Sequence, residues 1–240
     1  MKLTFIGTRG EIEARTPEHG MHTALMISHG SAHVMIDCGL DWLGNFQALR
    51  PQAIVLTLAH PDHAWGLQDG APCPVFAPEL TWKTIEHCNV TDRHILELRK
   101  RTTIRGITFE PFAVEHSIRA PAVGYHVSAG RVCFFYSSDV LFIPERTEAL
   151  KDVQLYIGDG ATISRSFVRK VGNKLVGHAT VKTQLGWCAK EGVRRAIITH
   201  CGPEIVEGDP AQMQKIVAAL AAERGLEACI ACDGMEVVLR

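Results

Sequence analysis

Thr57-Leu58-Ala59-His60-Pro61-Asp62-His63-Ala64-Trp65-Gly66 is the stretch on which the reading of this chain turns. It grows out of residues 53–59, a near-continuous apolar run of the kind expected of a strand covered on both faces. The polar groups therefore emerge at a strand's C-terminal end, where rigid backbone can hold a site open to solvent. His60, Asp62 and His63 pack two imidazoles and a carboxylate into four residues. Imidazole nitrogen and carboxylate oxygen are the donor set of zinc, iron and manganese hydrolytic sites. With 12 histidines in 240 residues, a polar loop carrying two of them by chance is the competing explanation, so support must come from elsewhere in the chain.

Three later residues supply it, each a ligand type at the end of an expected strand. His116 closes Phe112-Ala113-Val114-Glu115-His116-Ser117, Asp139 closes Phe134-Phe135-Tyr136-Ser137-Ser138-Asp139, and His200 closes Ala196-Ile197-Ile198-Thr199-His200. The junction of strand and loop is where sheet proteins concentrate site residues. Ligand types at four such junctions point to one metal centre.

The order H-x-D-H, then His-Ser, then Ser-Asp, then Thr-His resembles the metallo-β-lactamase superfamily. The resemblance runs from the opening strands to Asp233-Gly234-Met235 and implies a four-layer αββα sandwich of two mixed sheets with helices outside. Within that superfamily the chain is most similar to ribonuclease Z and the cyclic phosphodiesterases of phosphonate degradation, through Tyr136-Ser137-Ser138-Asp139, Leu155-Tyr156-Ile157-Gly158-Asp159 and Gly177-His178-Ala179-Thr180. The resemblance implies one metal on Asp62, His63, His200 and a bridging Asp139, and another on His60, His116 and Asp139. The family pattern is H-x-H-x-D-H, and Leu58 stands at its first histidine. The expectation is therefore one tightly held ion, zinc ahead of manganese or iron. The second site is expected to be weak, absent, or completed by water, substrate or another side chain, with His19 and His22 as candidate substitutes. Losing a ligand should cost more than the ~10–100-fold typical of changes behind the ligands.

The implied activity is hydrolysis of a small or nucleotide phosphodiester. Asp62 would orient the attacking water or take its proton. His178, just ahead of an expected helix whose N-terminus favours anions, would bind a phosphate oxygen or protonate the leaving group. Asp159 would orient His178 or serve as a simple turn residue. A lactonase or thioesterase on the same site, oxygen chemistry on iron, and a non-catalytic binding protein with a degraded site are the alternatives.

Composition sets the outer bounds. Apolar residues at 46% and charged residues at 21% describe a folded chain, expected here as one domain over 1–240. A net charge of −1 gives no global pull toward nucleic acid or an anionic membrane. Two local basic patches stand out, Arg99-Lys100-Arg101 with Arg105, and Arg165, Arg169, Lys170 and Lys174. A solvated face is the plainer reading of each, although the second could border the cleft; structured RNA is the less expected substrate, and a homodimer is a fair expectation. No apolar run reaches the ~18 residues of a membrane span, and the first ten residues read as a strand, so a cytoplasmic protein is expected. The eight scattered cysteines, including the Cys229/Cys232 pair, read as reduced.

Helices are expected around 80–87, 93–100, 145–150 and 180–191. A last helix follows the Asp209-Pro210 cap, with Met213, Ile216, Val217 and Leu220 as its buried stripe.

Overall fold

The computed structural model describes residues 1–118 and 120–240. Six strands open the chain and form one sheet: β1 (Lys2–Gly7), β2 (Ala24–His29), β3 (Ala32–Ile36), β4 (Ala53–Val55), β5 (Val75–Ala77) and β6 (Arg93–Ile95). The second sheet is built from β7 (Thr102–Ile104), β8 (Ile107–Val114), β9 (Ala122–Ala129), β10 (Val132–Tyr136) and β11 (Leu155–Asp159). A separate hairpin follows, β12 (Phe167–Val171) and β13 (Lys174–His178). Then β14 (Arg195–Thr199) and β15 (Glu227–Ile230) join the second sheet, and β16 (Met235–Val238) returns to the first.

The two sheets repeat one plan. In the first, β16, β1, β2 and β3 pair antiparallel, and β3 to β6 pair parallel. In the second, β7 to β10 pair antiparallel, and β10, β11, β14 and β15 pair parallel. It follows that β8, β10, β11 and β14 run in one direction, so their C-terminal ends lie along one edge. That edge is where open α/β sheets bind ligands.

Both faces of each sheet are covered. Phe134, Phe135 and Tyr136 are consecutive in β10 and all fully buried. Alternation sends Phe134 and Tyr136 to the core between the sheets, with Phe5, Ile27, Phe109 and Ile157, and sends Phe135 to an outer core with Tyr156 and Leu185. The Tyr125 hydroxyl donates to the Leu56 carbonyl at 2.6 Å, which ties the sheets together inside the apolar layer. Outside lie the short helices α1 (Pro61–Ala64), α2 (Glu79–Thr84) and α3 (Arg146–Ala149), with α4 (Val181–Lys190), α5 (Pro203–Val206) and α6 (Pro210–Ala222). Thr180 caps α4 by accepting from the Thr183 amide, and Asp209 caps α6 by accepting from Gln212. The arrangement is a four-layer αββα sandwich of two mixed sheets.

Several local expectations are corrected. The helix expected over 93–100 is strand β6 followed by a turn: Arg93-His94-Ile95 has helix-compatible residues, but pairing with β5 outweighs propensity. The run 53–59 stays buried throughout, yet only its first three residues belong to the strand as its bounds are drawn; the rest bends to carry His60. In α6 the fully buried residues are Val217 and Ala221; Ile216 is exposed, and Met213 and Leu220 are half-buried. The hairpin β12–β13 was not anticipated. All eight cysteines are free thiols. No described helix is long and apolar enough to cross a membrane.

Candidate metal centre

Each expected ligand arrives on a loop at the end of a strand. Beyond β4, His60 is extended and Pro61 opens α1 at its first position, so one helical turn presents Asp62 and His63 together. His116 lies two residues past β8, Asp139 three past β10, and His200 directly past β14. His200 takes a left-handed backbone (φ 53°), which is costly for a non-glycine residue. Backbone bonds on its neighbours hold it there, Cys201 N–H to Thr8 O at 2.7 Å and Gly202 N–H to Gly160 O at 3.0 Å. Gly10 makes room above: a Cβ on it would lie 3.1 Å from the His200 ring.

Asp139 is the hub. One of its oxygens is 2.5 Å from His63 Nε2 and 3.3 Å from His200 Nε2, while the other is 3.2 Å from His116 Nε2. Asp62 lies 3.2 Å from His63 Nε2 and 3.1 Å from His200 Nε2. Two overlapping groups result, each with its donor atoms within 4.8 Å of one another: Asp62, His63, Asp139 and His200, and the three-membered His60, His116 and Asp139. A third grouping joins Asp139 and His200 to Asp159 and His178.

Fit to a cation can be judged from the polar atoms themselves. His63 Nε2, His116 Nε2 and Asp139 Oδ2 are buried and crowd together, yet none makes a well-aligned hydrogen bond. Buried polar atoms left in that state cost roughly 1–3 kcal/mol each, so their convergence marks a place built for something else. Two imidazole nitrogens and two carboxylates make a four-donor set suited to zinc or a similar divalent ion. The residues behind the ligands support the same reading. Asp37 lies 2.9 Å from His63 Nδ1 and also accepts from the Thr57 amide and hydroxyl; His116 Nδ1 is 3.0 Å from the Gly177 carbonyl. In both cases the outer ring nitrogen is engaged, which fixes the tautomer that leaves Nε2 facing inward.

Burial alone would push the His63 and His200 imidazoles down. The surrounding carboxylates, Asp62 and Asp139 for His63 and first of all Asp139 for His200, hold both well above their ordinary value. Conversely, despite burial, these imidazoles hold Asp62 and Asp139 well below the usual carboxylate range. A cation entering this set would displace protons from the two histidines.

His178 and Asp159 sit beside the ligands. His178 Nδ1 is 2.6 Å from Asp159 Oδ2, and its ring is 4.7 Å from that of His116 and 5.6 Å from that of His200. Asp159 also lies 3.4 Å from His200 Nδ1 and accepts from the Val140 and Ala161 amides, so it orients both rings. Burial opposes charge on His178, but Asp159 raises its pKa overall.

The sequence reading overlooked two carboxylates here. Asp37 directly follows β3 in a left-handed conformation (φ 62°), and its place at a strand end was the available signal. Glu11 reaches the site from the loop after β1; its pKa is raised by burial and then by the neighbouring Asp62 carboxylate, and nothing in its sequence context announced it. His19 and His22 belong to none of the ligand groups. His19 Nδ1 is 2.8 Å from the Thr8 hydroxyl, and His22 Nδ1 lies 3.2 Å from Asp41, which also pairs with the buried Arg9. Leu58 is fully buried in the apolar core. Three residues of the first basic patch are paired, Arg99 and Arg101 to Glu110, Arg99 also to Glu145, and Lys100 to Glu97.

A family model described as the beta-lactamase superfamily domain matches residues 32–201, most of the chain and all six of its proposed ligands. The chain belongs to the metallo-β-lactamase superfamily. Solved structures place it in the same fold. The metallo-β-lactamase fold protein YhfI from Bacillus subtilis superposes with a TM-score of 0.77 at 15% identity, covering 98% of both chains. A diphosphatase of the PhnP family gives a TM-score of 0.73 at 19% identity over 100% of this chain and 98% of that one. The short form of human tRNase Z gives 0.66 at 18% identity over all of both chains. No curated protein sequence matches significantly. The metallo-β-lactamase fold and its His/Asp cluster together support a divalent-metal hydrolase.

Proposed function

We propose that this metallo-β-lactamase-fold protein is a phosphodiesterase, with its principal metal, zinc by donor type, on Asp62, His63, Asp139 and His200. The observation that carries the reading is His178, an imidazole outside that set that is braced by Asp159 and overhangs it. A divalent cation held there supplies Lewis-acid polarisation of the phosphoryl oxygen and lowers the pKa of water to about 7. Asp62 and Asp139 fix the position of the attacking water by accepting from it. His178, whose pKa Asp159 raises, binds a non-bridging phosphate oxygen and delivers its proton to the departing oxygen. After transfer, Asp159 holds the neutral ring in place for reprotonation. The likeness to a PhnP-family diphosphatase and to tRNase Z supports phosphorus over carbonyl as the centre attacked. His60 and His116, with Asp139, offer a second and weaker cation position. The eight free thiols support a reducing, cytoplasmic setting.

The test compares leaving groups. Metal-loaded wild type is expected to hydrolyse bis(p-nitrophenyl) phosphate faster than a nitrophenyl ester or a lactone. In His178→Ala, kcat should fall by about 100-fold or more on a diester with an alkoxide leaving group and far less when the leaving group is nitrophenolate, which needs no proton. Equal losses on both would remove the acid role. A faster carbonyl ester would move the assignment to an acyl hydrolase.

A further inference from the structure

The hairpin β12–β13 has a charge pattern unlike the rest of the chain. Between Asp159 and Glu191 the sequence holds Arg165, Arg169, Lys170, Lys174, Lys182 and Lys190 and not one acidic residue. Among the described residues, Arg165, Arg169, Lys170 and Lys174 have no ion-pair partner. In the first basic patch, by contrast, Arg99, Lys100 and Arg101 are all paired to glutamates. Every residue of β12 is exposed, including Phe167 at 53% and Val171 at 46%. A two-stranded hairpin is marginal by itself, and like charges along it lower its stability further. What holds it is its inner end: Val176 is buried, and Gly177 exchanges hydrogen bonds with His116.

Register tells which side faces the site. Phe167 pairs with His178, Arg169 with Val176 and Val171 with Lys174. The Phe167 ring lies 6.2 Å from the His178 ring, so Phe167 is on the His178 side. Alternation then puts Arg169, Val171 and Lys174 on that side too, and Val168, Lys170 and Leu175 on the other. Stepping outward from His178, Arg169 stands about 7 Å away and Lys174 about 14 Å away along the strands. An aromatic ring beside the acid, followed by two unpaired cations in line, suits a substrate that continues past its reacting phosphate.

We propose that this side of the hairpin is a substrate-recognition arm for a second phosphate, held by Arg169 and Lys174 roughly 7–14 Å from the scissile bond, with Phe167 covering the nucleoside or other apolar moiety between. The inference rests on the phosphodiesterase reading. It narrows the substrate to a molecule with at least two separated phosphates and disfavours a small cyclic phosphodiester. The second phosphate can be a terminal monoester or an internucleotide diester; the chemistry recognised is the same.

Three substrates test it on metal-loaded protein: the nitrophenyl ester of thymidine 5′-phosphate, the same compound bearing a 3′-phosphate, and its thymidine dinucleotide counterpart. In wild type, KM for one or both two-phosphate compounds should be about tenfold below that of the first, as two exposed charge contacts would give. Which of the two gains tells monoester from diester. In Arg169→Gln/Lys174→Gln that KM ratio should fall to about one, and its dependence on salt should flatten. Lys170→Gln, on the opposite side of the same hairpin, should leave the ratio as in wild type. Equal KM for all three substrates in wild type, or an equal effect from Lys170→Gln, overturns the arm and leaves the phosphodiesterase reading standing. A wild type that hydrolyses none of the three ends both.

Discussion

The two halves of the metal centre share Asp139 and little else. On one side Asp62, His63 and His200 are fixed from behind: Asp37 engages His63, and Asp159 contacts His200. On the other side His116 is braced by the Gly177 carbonyl, but His60 is only half-buried and its pKa is pushed down to about 4, first by burial. Where the superfamily pattern has a further histidine, this chain has Leu58, fully buried in the core. A four-donor set with its outer nitrogens engaged is preorganised for a tetrahedral cation, and a three-donor set with one loosely held ring is not. Strength at a metal site is therefore decided as much by what holds the ligands as by which ligands are present.

The hardest test of this asymmetry removes one ligand from each half. His200→Ala should lower affinity for the principal metal by more than about 100-fold and nearly abolish hydrolysis. His116→Ala should cost that metal no more than about tenfold. Elemental analysis after dialysis against a weak chelator reads both. If His116→Ala empties the protein as completely as His200→Ala, the two halves are equal and the comparison fails.

Repairing the weak half is a gentler perturbation. Leu58→His should raise bound metal from about one toward two per chain, the fourth donor completing a second four-coordinate set. A buried imidazole replacing leucine destabilises the protein when chelator is present, and metal binding to the folded state should recover stability. Melting temperature with and without zinc separates these contributions. A variant that melts low and stays low with metal, at an unchanged metal count, shows that position 58 does not face the cation.

The sheets, the convergence of the strand-end His and Asp side chains and the His178–Asp159 contact could be anticipated, because they depend on residue type at the end of an apolar run. Asp37 obeyed the same rule and was passed over, since Asp37-Cys38-Gly39 looks like an ordinary strand-closing turn. Its role depends on a left-handed backbone that residue type does not announce. Residues 93–100 were misread for a different reason. Arg-His-Ile-Leu-Glu-Leu-Arg-Lys favours a helix locally, and only the partner strand Val75–Ala77 makes its first three residues extended. The hairpin β12–β13 was within reach: Gly172-Asn173 between two short β-favouring runs is a recognised turn signal. Its basic residues mask the alternation, because Arg169, Lys170 and Lys174 read equally well as a solvated charged face. Glu11 had no signal at all, because it meets Asp62 only through the path of the loop after β1.

The mildest test asks whether His22 fills the gap at Leu58. Its imidazole accepts from the Asp41 amide at 3.3 Å, and its carbonyl accepts from the Trp42 indole at 3.0 Å, so it is committed to the loop packed beside the site. Burial, followed by the Arg9 guanidinium, pushes its pKa down to about 4 against the opposing pull of Asp41. The sign follows from proton counting: below pH 6.5 the unfolded chain binds a proton that the folded protein refuses until about pH 4. His22 therefore favours folding fully above pH 6.5, and that advantage drains away as pH falls toward 4, an effect on the order of 1–3 kcal/mol. In His22→Gln, metal content should stay at the wild-type value, and the loss of stability between pH 6.5 and 4, measured by urea unfolding, should be shallower by that amount. The other histidines titrate equally in both proteins and cancel from the difference. A His22→Gln protein that loses metal at pH 7 would make His22 a ligand, and the weak half of the centre would no longer be short of one.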